Sequence, residues 1–132
     1  MKVRHLSVTI DANPERVYAF TAEPHNIPKW AAGLGRAIRQ QRGRWIVDTP
    51  EGEAGVEFAP KNALGVLDHT VTLADGRKVY LPIRVVANGE AAEIVFTLFQ
   101  TPRMSDAEFE RDAGMVAADL RTLKRVVEAL PE

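Results

Sequence analysis

The sequence predicts an α+β fold in which a seven-stranded antiparallel sheet wraps around one long C-terminal helix. Turn-forming pairs such as Arg42-Gly43, Asp75-Gly76 and Asn88-Gly89 divide the middle of the chain into short apolar segments, as in consecutive hairpins. The last quarter changes to a helical period, and two short helical segments precede the hairpins. Because 132 residues suffice for one core and not for two, we expect residues 1–132 to form a single domain.

The C-terminal helix is the clearest element and should run from Ser105 to about Leu130. Ser105 and Glu108 form a capping-box pattern, because each side chain can bond the backbone N–H of the other residue. Apolar side chains then recur at four-three spacing, which predicts one buried stripe. The stripe comprises Phe109, Ala113, Val116, Leu120, Leu123, Val127 and Leu130.

Before the hairpins, the chain predicts one strand and two short helices. Val3 to Ile10 alternates apolar and polar side chains as a half-buried strand does. Asn13 is a favourable cap for a helix with Pro14 in its first position, and a second short helix should end at Trp30. We expect residues 31–35 to form a flexible bridge into the sheet.

The hairpin turns predict which side chains share the inner face of the sheet. A three-residue loop at residues 74–76 brings His69 opposite Leu81, whereas a two-residue loop would turn Asp68 and Thr70 inward and is less favoured. A two-residue turn at Asn88-Gly89 aligns four apolar pairs. The resulting strand order is 2-3-4-5-6-7-1. The pairs after the second turn are Val85–Ala92, Ile83–Ile94, Leu81–Phe96 and Val79–Leu98.

Composition argues against several classes of function. The chain has 17 basic and 18 acidic residues, whereas nucleic-acid-binding domains usually carry a basic excess. The absence of cysteine excludes disulfides, thiolate catalysis and cysteine metal sites. We expect no signal peptide and no membrane span, and therefore a cytoplasmic protein. Four arginines around one turn indicate a solvated hairpin tip more than a phosphate site: Arg36, Arg39, Arg42 and Arg44.

The order of the elements resembles the helix-grip fold, and short segments sharpen this resemblance. Residues 10–18, with the sequence IDANPERVY, look like the opening of proteins of the SRPBCC superfamily, also called START-like or polyketide-cyclase-like. Residues 24–30 are similar to the second short helix of these proteins. Residues 65–69 (GVLDH) and 104–112 (MSDAEFERD) resemble a bacterial branch with few characterised members.

This resemblance covers nearly the whole chain and implies a fold more than a reaction. The superfamily includes lipid carriers, hormone receptors, aromatase/cyclases and a co-chaperone of a heat-shock ATPase. Membership implies a cavity between the sheet and the long helix, and it does not imply an enzyme. The expected partner is therefore a small hydrophobic molecule, with no cofactor and with the oligomeric state left open.

His69 is the sharpest candidate for chemistry. Its place between Leu67 and Val71 on the inner face allows it to orient a ligand or to act as an acid or base, although a satisfied core histidine is the simpler interpretation. Trp30 can close the pocket entrance or fill the end of the sheet. Small side chains and Gly114 leave room in the first half of the long helix. We predict a ligand-binding wall of Trp30, His69, Leu81, Phe96, Ala113, Met115 and Ala117.

Other polar residues are weaker candidates. Arg84 can hold a ligand carboxylate bidentately, but the register turns both Arg84 and Glu57 outward. Asp68 is adjacent to His69, and neighbouring strand residues point to opposite faces, so the two cannot form a dyad. No metal site is expected, because the histidines are scattered along the chain at His5, His25 and His69.

Three functional hypotheses remain open from the sequence. The first is a binder of a small hydrophobic molecule with His69 as its single polar anchor. The second is a polyketide cyclase- or dehydratase-like enzyme with His69 as acid or base, for which no inward partner is evident. The third is a co-chaperone-like interaction module, which would use an exposed apolar patch such as Val95 and Phe99 on the outer face.

Overall fold

A computed structural model describes residues 1–32 and 37–131 of the chain. In these residues, eight strands and three α-helices form an α+β fold with a long C-terminal helix. Residues 33–35 of the bridge predicted over residues 31–35, and Arg36, lie outside the described residues. The elements are β1 Val3–Ile10, α1 Pro14–Ala22, a 3₁₀ turn Pro24–Asn26, α2 Ile27–Trp30, β2 Ile38–Gln41, β3 Arg44–Thr49, β4 Gly52–Phe58, β5 His69–Thr72, β6 Lys78–Leu81, β7 Ile83–Asn88, β8 Ala91–Phe99 and α3 Asp106–Glu128.

The strands form two antiparallel sheets, so the prediction of one seven-stranded sheet is wrong. The order is β1-β8-β7 in one sheet and β2-β3-β4-β5-β6 in the other. The predicted sixth strand is divided at Pro82, which has no N–H to donate, while its carbonyl accepts from Thr97 N–H at 3.0 Å. The predicted sequence of neighbours is retained on both sides of this break.

The two predicted hairpin turns have different outcomes. The three-residue loop is confirmed, since His69 pairs with Leu81, and Gly76 has a left-handed φ of +90°. The turn predicted at Asn88-Gly89 is wrong by one position: Asn88 pairs with Ala91, and Gly89 opens the turn with φ +61°. A glycine in the first turn position suits a type II′ turn. The pairing therefore slips by two residues, which leaves the same side chains on each face.

The predicted helix starts are confirmed. Asn13 Oδ1 accepts from Glu15 N–H at 2.8 Å at the start of α1, where Pro14 is the first helical residue. At the start of α3, Ser105 and Glu108 exchange both bonds of a capping box. Helix α3 ends at Glu128, two residues before the predicted end. None of the described helices is both long and apolar enough to cross a membrane.

Helix α3 packs on the three-stranded sheet, and its buried stripe is in the main core. Leu123 and Val127 have no exposed surface, and they belong to one cluster with Ile10 and Ile94. Ion pairs such as Arg4–Glu110 at 2.6 Å fasten the helix along β1. The five-stranded sheet has a second, smaller apolar cluster on its inner face, built from Val47, Ala54, Val56 and Val71.

Candidate ligand-binding site

A cavity of about 40 Å³ lies between the two short helices and the inner side of the sheets. None of the described residues of α3 lines it, so it is not the predicted space between the sheet and the C-terminal helix. Apolar side chains form most of its wall. The wall comprises Tyr18, Thr21, Ala22, Ile27 and Trp30 from the helices, and Phe58, Ala59, Lys61, Val66, Leu67, His69 and Ile83 from the strands and their connection.

The size of the cavity limits what it can hold without movement. A water molecule needs roughly 10–15 Å³ by this measure, so the space corresponds to about three waters. A known engineered cavity of about 150 Å³ is large enough for benzene. A ligand with one ring therefore requires wall side chains to move apart.

Trp30 brings an unsatisfied hydrogen-bond donor to this wall. The residue ends α2 and is only 7% exposed. Its indole Nε1 is buried and has no hydrogen-bond partner among the described residues. A buried donor without a partner costs roughly 1–3 kcal/mol. Trp30 thus combines a place in the cavity wall with a buried donor that an acceptor atom of a water or a bound molecule would satisfy.

His69 is a further polar residue of the wall. Its side chain is on the inner face of β5, as predicted, and the residue is 7% exposed. Burial lowers the pKa of His69, whereas the Leu67 carbonyl and the charge of Asp68 act in the opposite direction. The ring is thus neutral near pH 7. Nδ1 lies 3.4 Å from the Leu67 carbonyl oxygen, which favours a proton on Nδ1 and leaves Nε2 as an acceptor.

On the opposite face, Asp68 forms a polar cluster that sequence reasoning missed. Its carboxylate accepts from Arg84 Nε at 2.8 Å and Nη2 at 2.7 Å, and from the Tyr80 hydroxyl at 2.6 Å. The hydrogen bonds from Arg84 are the main cause of a pKa of about 2 for Asp68. Arg84 faces outward as predicted, but it clamps the neighbouring strand and is not a free exposed cation.

The same carboxylate changes the backbone pairing next to His69. Ile83 N–H donates to Asp68 Oδ1 at 3.0 Å, while Leu67 N–H donates to the Ile83 carbonyl at 2.8 Å. A regular antiparallel pair would exchange both bonds between Leu67 and Ile83. The side chain of Asp68 thus replaces one rung of the ladder, and the Leu67 carbonyl faces His69 instead.

The connection between β4 and β5 is held rigidly at one side of the cavity. Asn62 Oδ1 accepts from the N–H groups of Leu64 at 2.9 Å and Val66 at 3.0 Å. Asn62 Nδ2 donates to the Pro60 and Val66 carbonyls, each at 2.9 Å, and Asn62 N–H donates to the Tyr18 hydroxyl at 3.0 Å. These bonds fix the backbone of Lys61, whose exposed side chain borders the cavity.

Only two of the seven predicted wall residues, Trp30 and His69, line this cavity. Phe96 and Ala113 are buried in the main core, and Leu81 packs beside it. Met115 is 46% exposed on the outer side of α3. Gly114 is exposed, and a Cβ there would meet no atom within 4 Å, so neither a cavity nor a close approach explains it. Ala117 is half-buried on α3 and does not border the cavity.

The other weak candidates are on the outer faces. Glu57 is exposed on β4. Val95 and Phe99 are half-buried, and Val95 pairs with Ser7 and Arg84, so polar side chains interrupt the apolar patch there. Asp68 and His69 point to opposite faces, and no hydrogen bond joins them among the described contacts.

Comparison with solved structures identifies the architecture. A START superfamily protein from Mycobacterium smegmatis matches with a TM-score of 0.67 at 12% identity, over 98% of this chain and 99% of that one. The chain has a START-like fold. The Aha1 dimer from Colwellia psychrerythraea matches with a TM-score of 0.73 at 14% identity, over 98% of both chains.

A third match is a protein of the dynemicin biosynthetic locus, DynU16, with a TM-score of 0.74 at 16% identity. It covers 98% of this chain and 48% of that one. No protein-family model matches the chain, and no curated protein matches it. The predicted resemblance to START-like and polyketide-cyclase-like proteins is thus confirmed at the level of the fold, whereas identities this low say nothing of a shared ligand or reaction.

Proposed function

We propose that this protein binds a small, mostly apolar molecule that offers a carbonyl or hydroxyl oxygen to Trp30. The unpartnered, buried Nε1 of Trp30, a residue of a mostly apolar cavity wall, is the observation that carries the proposal. Polar groups that fix the orientation of a ligand in an apolar pocket are typical of small-molecule sites. His69 is the second anchor, because its neutral ring lines the same cavity.

The proposed site differs from the predicted one in its walls. It uses α1, α2 and the connection before β5 in place of the first half of α3. Opening it for a single-ring ligand requires outward movement of the half-buried Tyr18 or of the exposed Lys61 side chain, since both are at its border. The deeper wall residues Ile27 and Ile83 are 2% exposed and are held in the core.

The enzyme hypothesis has no specific observation in its favour. Asp68, the nearest carboxylate in sequence to His69, is taken up by Arg84 and Tyr80 on the other face. The interaction-module hypothesis would need a contiguous apolar surface, which the half-buried Val95 and Phe99 do not form. We further propose that residues 1–132 act as one START-like domain and that it works in the cytoplasm.

A single-tryptophan variant makes the test direct. The chain has two tryptophans, so Trp45→Phe leaves Trp30 as the only indole reporter. Acetophenone should change the fluorescence of this variant saturably, because its ketone oxygen reaches Nε1. Ethylbenzene, which has the same ring without an acceptor, should bind at least about threefold more weakly. The matched variant Trp30→Phe, which reports from Trp45, should show no saturable change.

Three results decide the proposal. Loss of affinity for acetophenone in His69→Ala, with circular dichroism unchanged, supports a site between Trp30 and His69. The proposal fails if acetophenone and related single-ring ketones give no saturable signal, and native mass spectrometry of protein from its own host shows only the apo mass. Equal binding of the ketone and the hydrocarbon rejects the role of Trp30 Nε1 and keeps only an apolar site.

A further inference from the structure

We propose that the ligand of this site is an anionic amphiphile, whose apolar body enters between the short helices while its acidic group pairs with Lys61. This inference rests on the proposed function, because it assigns the second end of the same ligand. Its basis is a lysine without a polar partner among the described wall residues of a cavity that His69 and Trp30 also line, with the indole N–H of Trp30 unpartnered.

Lys61 is the only lysine or arginine among the described wall residues. Its ammonium makes no hydrogen bond and no ion pair with the described residues, unlike Lys2 and Lys124, which pair with carboxylates. The backbone beside it is fixed by the four side-chain hydrogen bonds of Asn62. The stem of Lys61 thus begins from a rigid point, while its ammonium stays exposed to solvent and available to a ligand.

A neighbouring carboxylate does not remove this availability. The positive charge of Lys61 contributes to the lowered pKa of Glu23, but hydrogen bonds from His25 are the larger cause. Glu23 Oε1 accepts from His25 Nδ1 at 2.8 Å and from His25 N–H at 3.2 Å, and it caps the 3₁₀ turn. Oε1 of Glu23 is therefore engaged within its own turn, and no ion pair joins Glu23 to Lys61 among the described residues.

The charges around the cavity determine which end of the ligand is neutral and which end is anionic. The neutral ring of His69 adds no positive charge there, so a buried anion would lack compensation at the deep end. At the border, Lys61 supplies that compensation, and water screens it only in part. A molecule with a neutral acceptor at one end of a ring and a carboxylate at the other satisfies both ends of the site.

The test compares two probes that differ only in charge. 4-Acetylbenzoate offers a ketone to Trp30 and a carboxylate to Lys61, and methyl 4-acetylbenzoate has the same ring and ketone without the charge. Affinities are measured by Trp30 fluorescence in the Trp45→Phe background at low salt. We expect the acid to bind about fivefold to tenfold more tightly than the ester. This preference should shrink in 0.5 M salt, because the Debye length is then only about 4 Å and the charge of Lys61 is screened.

Variants of Lys61 connect this preference to one side chain. Lys61→Gln should abolish the preference for the acid over the ester, and Lys61→Arg should retain it. Lys78→Gln is the matched control, since Lys78 is an exposed lysine on β6 away from the cavity. It should behave like the parent protein.

The outcomes separate this inference from the proposed function. If acid and ester bind equally and Lys61→Gln alters neither affinity, the anionic ligand is rejected while the binding site stands. If the preference is present but Lys78→Gln removes it as fully as Lys61→Gln does, general charge and not Lys61 is responsible, and the inference fails. If neither probe binds, both the site and its charge preference are overturned.

Discussion

Asp68 and His69 are neighbours in sequence, but their side chains lie on opposite faces of the sheet and differ in how fully their hydrogen-bonding capacity is used. On the outer face, the Asp68 carboxylate accepts four hydrogen bonds from Arg84, Tyr80 and Ile83. On the inner face, His69 has one long contact of 3.4 Å and borders a cavity with the unpartnered Trp30. The satisfied polar group is structural, and the unsatisfied ones are the better candidates for a ligand.

The two environments have one cause in the backbone. Because Ile83 N–H is bound to Asp68, the Leu67 carbonyl is left to the imidazole of His69. Pro82 sits at the same point and divides β6 from β7. This break in the strand pairing thus accounts for the cluster of Asp68 with Arg84 and Tyr80 on the outer face, the outer clamp. It also accounts for the position of His69 on the inner face, and variants along this hairpin should separate the two effects.

The largest effect is expected at Gly65, where the chain joins this hairpin. Gly65 has a φ of +74°, and an added Cβ would lie 2.3 Å from the Val85 carbonyl oxygen. Gly65→Ala should therefore lower the free energy of unfolding by about 3 kcal/mol, from the left-handed strain and the clash together. Urea unfolding followed by circular dichroism measures this loss.

A second glycine separates strain from the clash. Gly76 also has a left-handed φ, of +90°, but a Cβ there would meet nothing within 4 Å. Gly76→Ala should cost only about 1 kcal/mol, the strain alone. Equal losses of free energy of unfolding at the two positions would mean that the backbone at Gly65 moves away from Val85, and that the contact between these two residues is not rigid.

The next effect is expected from the outer clamp, through its dependence on pH. The pKa of Asp68 is about 2 in the folded protein, below its ordinary value, so its contribution is present above the unfolded pKa and is lost as the pH falls through about 2. We expect about 1–2 kcal/mol, discounted because the Arg84 side chain is 49% exposed.

Asp68→Asn removes this charge and so isolates its contribution to the free energy of unfolding. The variant should be less stable than the parent at pH 6, and the difference should shrink steadily between pH 4 and pH 2. Urea midpoints at several pH values give the measurement. Asp75→Asn is a suitable control, because Asp75 pairs with Arg77 in an exposed turn. A difference that stays constant over this range would show that Asp68 acts by shape and not by charge.

The sequence already contained the information for this clamp. The confirmed pairing of Val71 with Val79, continued along the strands, places Asp68 opposite Pro82. Tyr80 and Arg84 are then its two diagonal neighbours on the same face, within reach of a carboxylate. The register therefore predicts the Asp68–Arg84 pair, which the interpretation of Asp68 as a possible partner of His69 does not consider.

The position of the cavity was less accessible to sequence reasoning. Periodicity gave α3, its cap and its buried stripe, because these depend on contacts local to the helix or on one repeating face. The cavity depends on how α1 and α2 approach Phe58 and on a loop ordered by Asn62, which are long-range contacts without a repeating pattern. The small residues of α3 therefore predict a space that the structure does not have, since Ala113 is buried in the main core and Gly114 is exposed.

The smallest effect is expected from the inner face, and it has the same sign in pH as that of Asp68 but occurs in a higher pH range. Burial lowers the pKa of His69, so the unfolded chain binds this proton more readily than the folded one below the ordinary pKa of about 6.5. The free energy of unfolding should therefore fall as the pH drops from 7 to 5, with His69 contributing at most about 1.4 kcal/mol per pH unit.

His69→Phe tests this contribution while keeping a ring beside Phe58, whose centroid lies 5.8 Å from that of His69. The variant should match or exceed the parent in stability at pH 5 and should show a weaker pH dependence between pH 5 and 7. It should also lose affinity for acetophenone at pH 7, where Asp68→Asn retains it. An unchanged pH slope in His69→Phe would mean that the folded protein accommodates the imidazolium, and the inner wall would then be as well satisfied as the outer clamp.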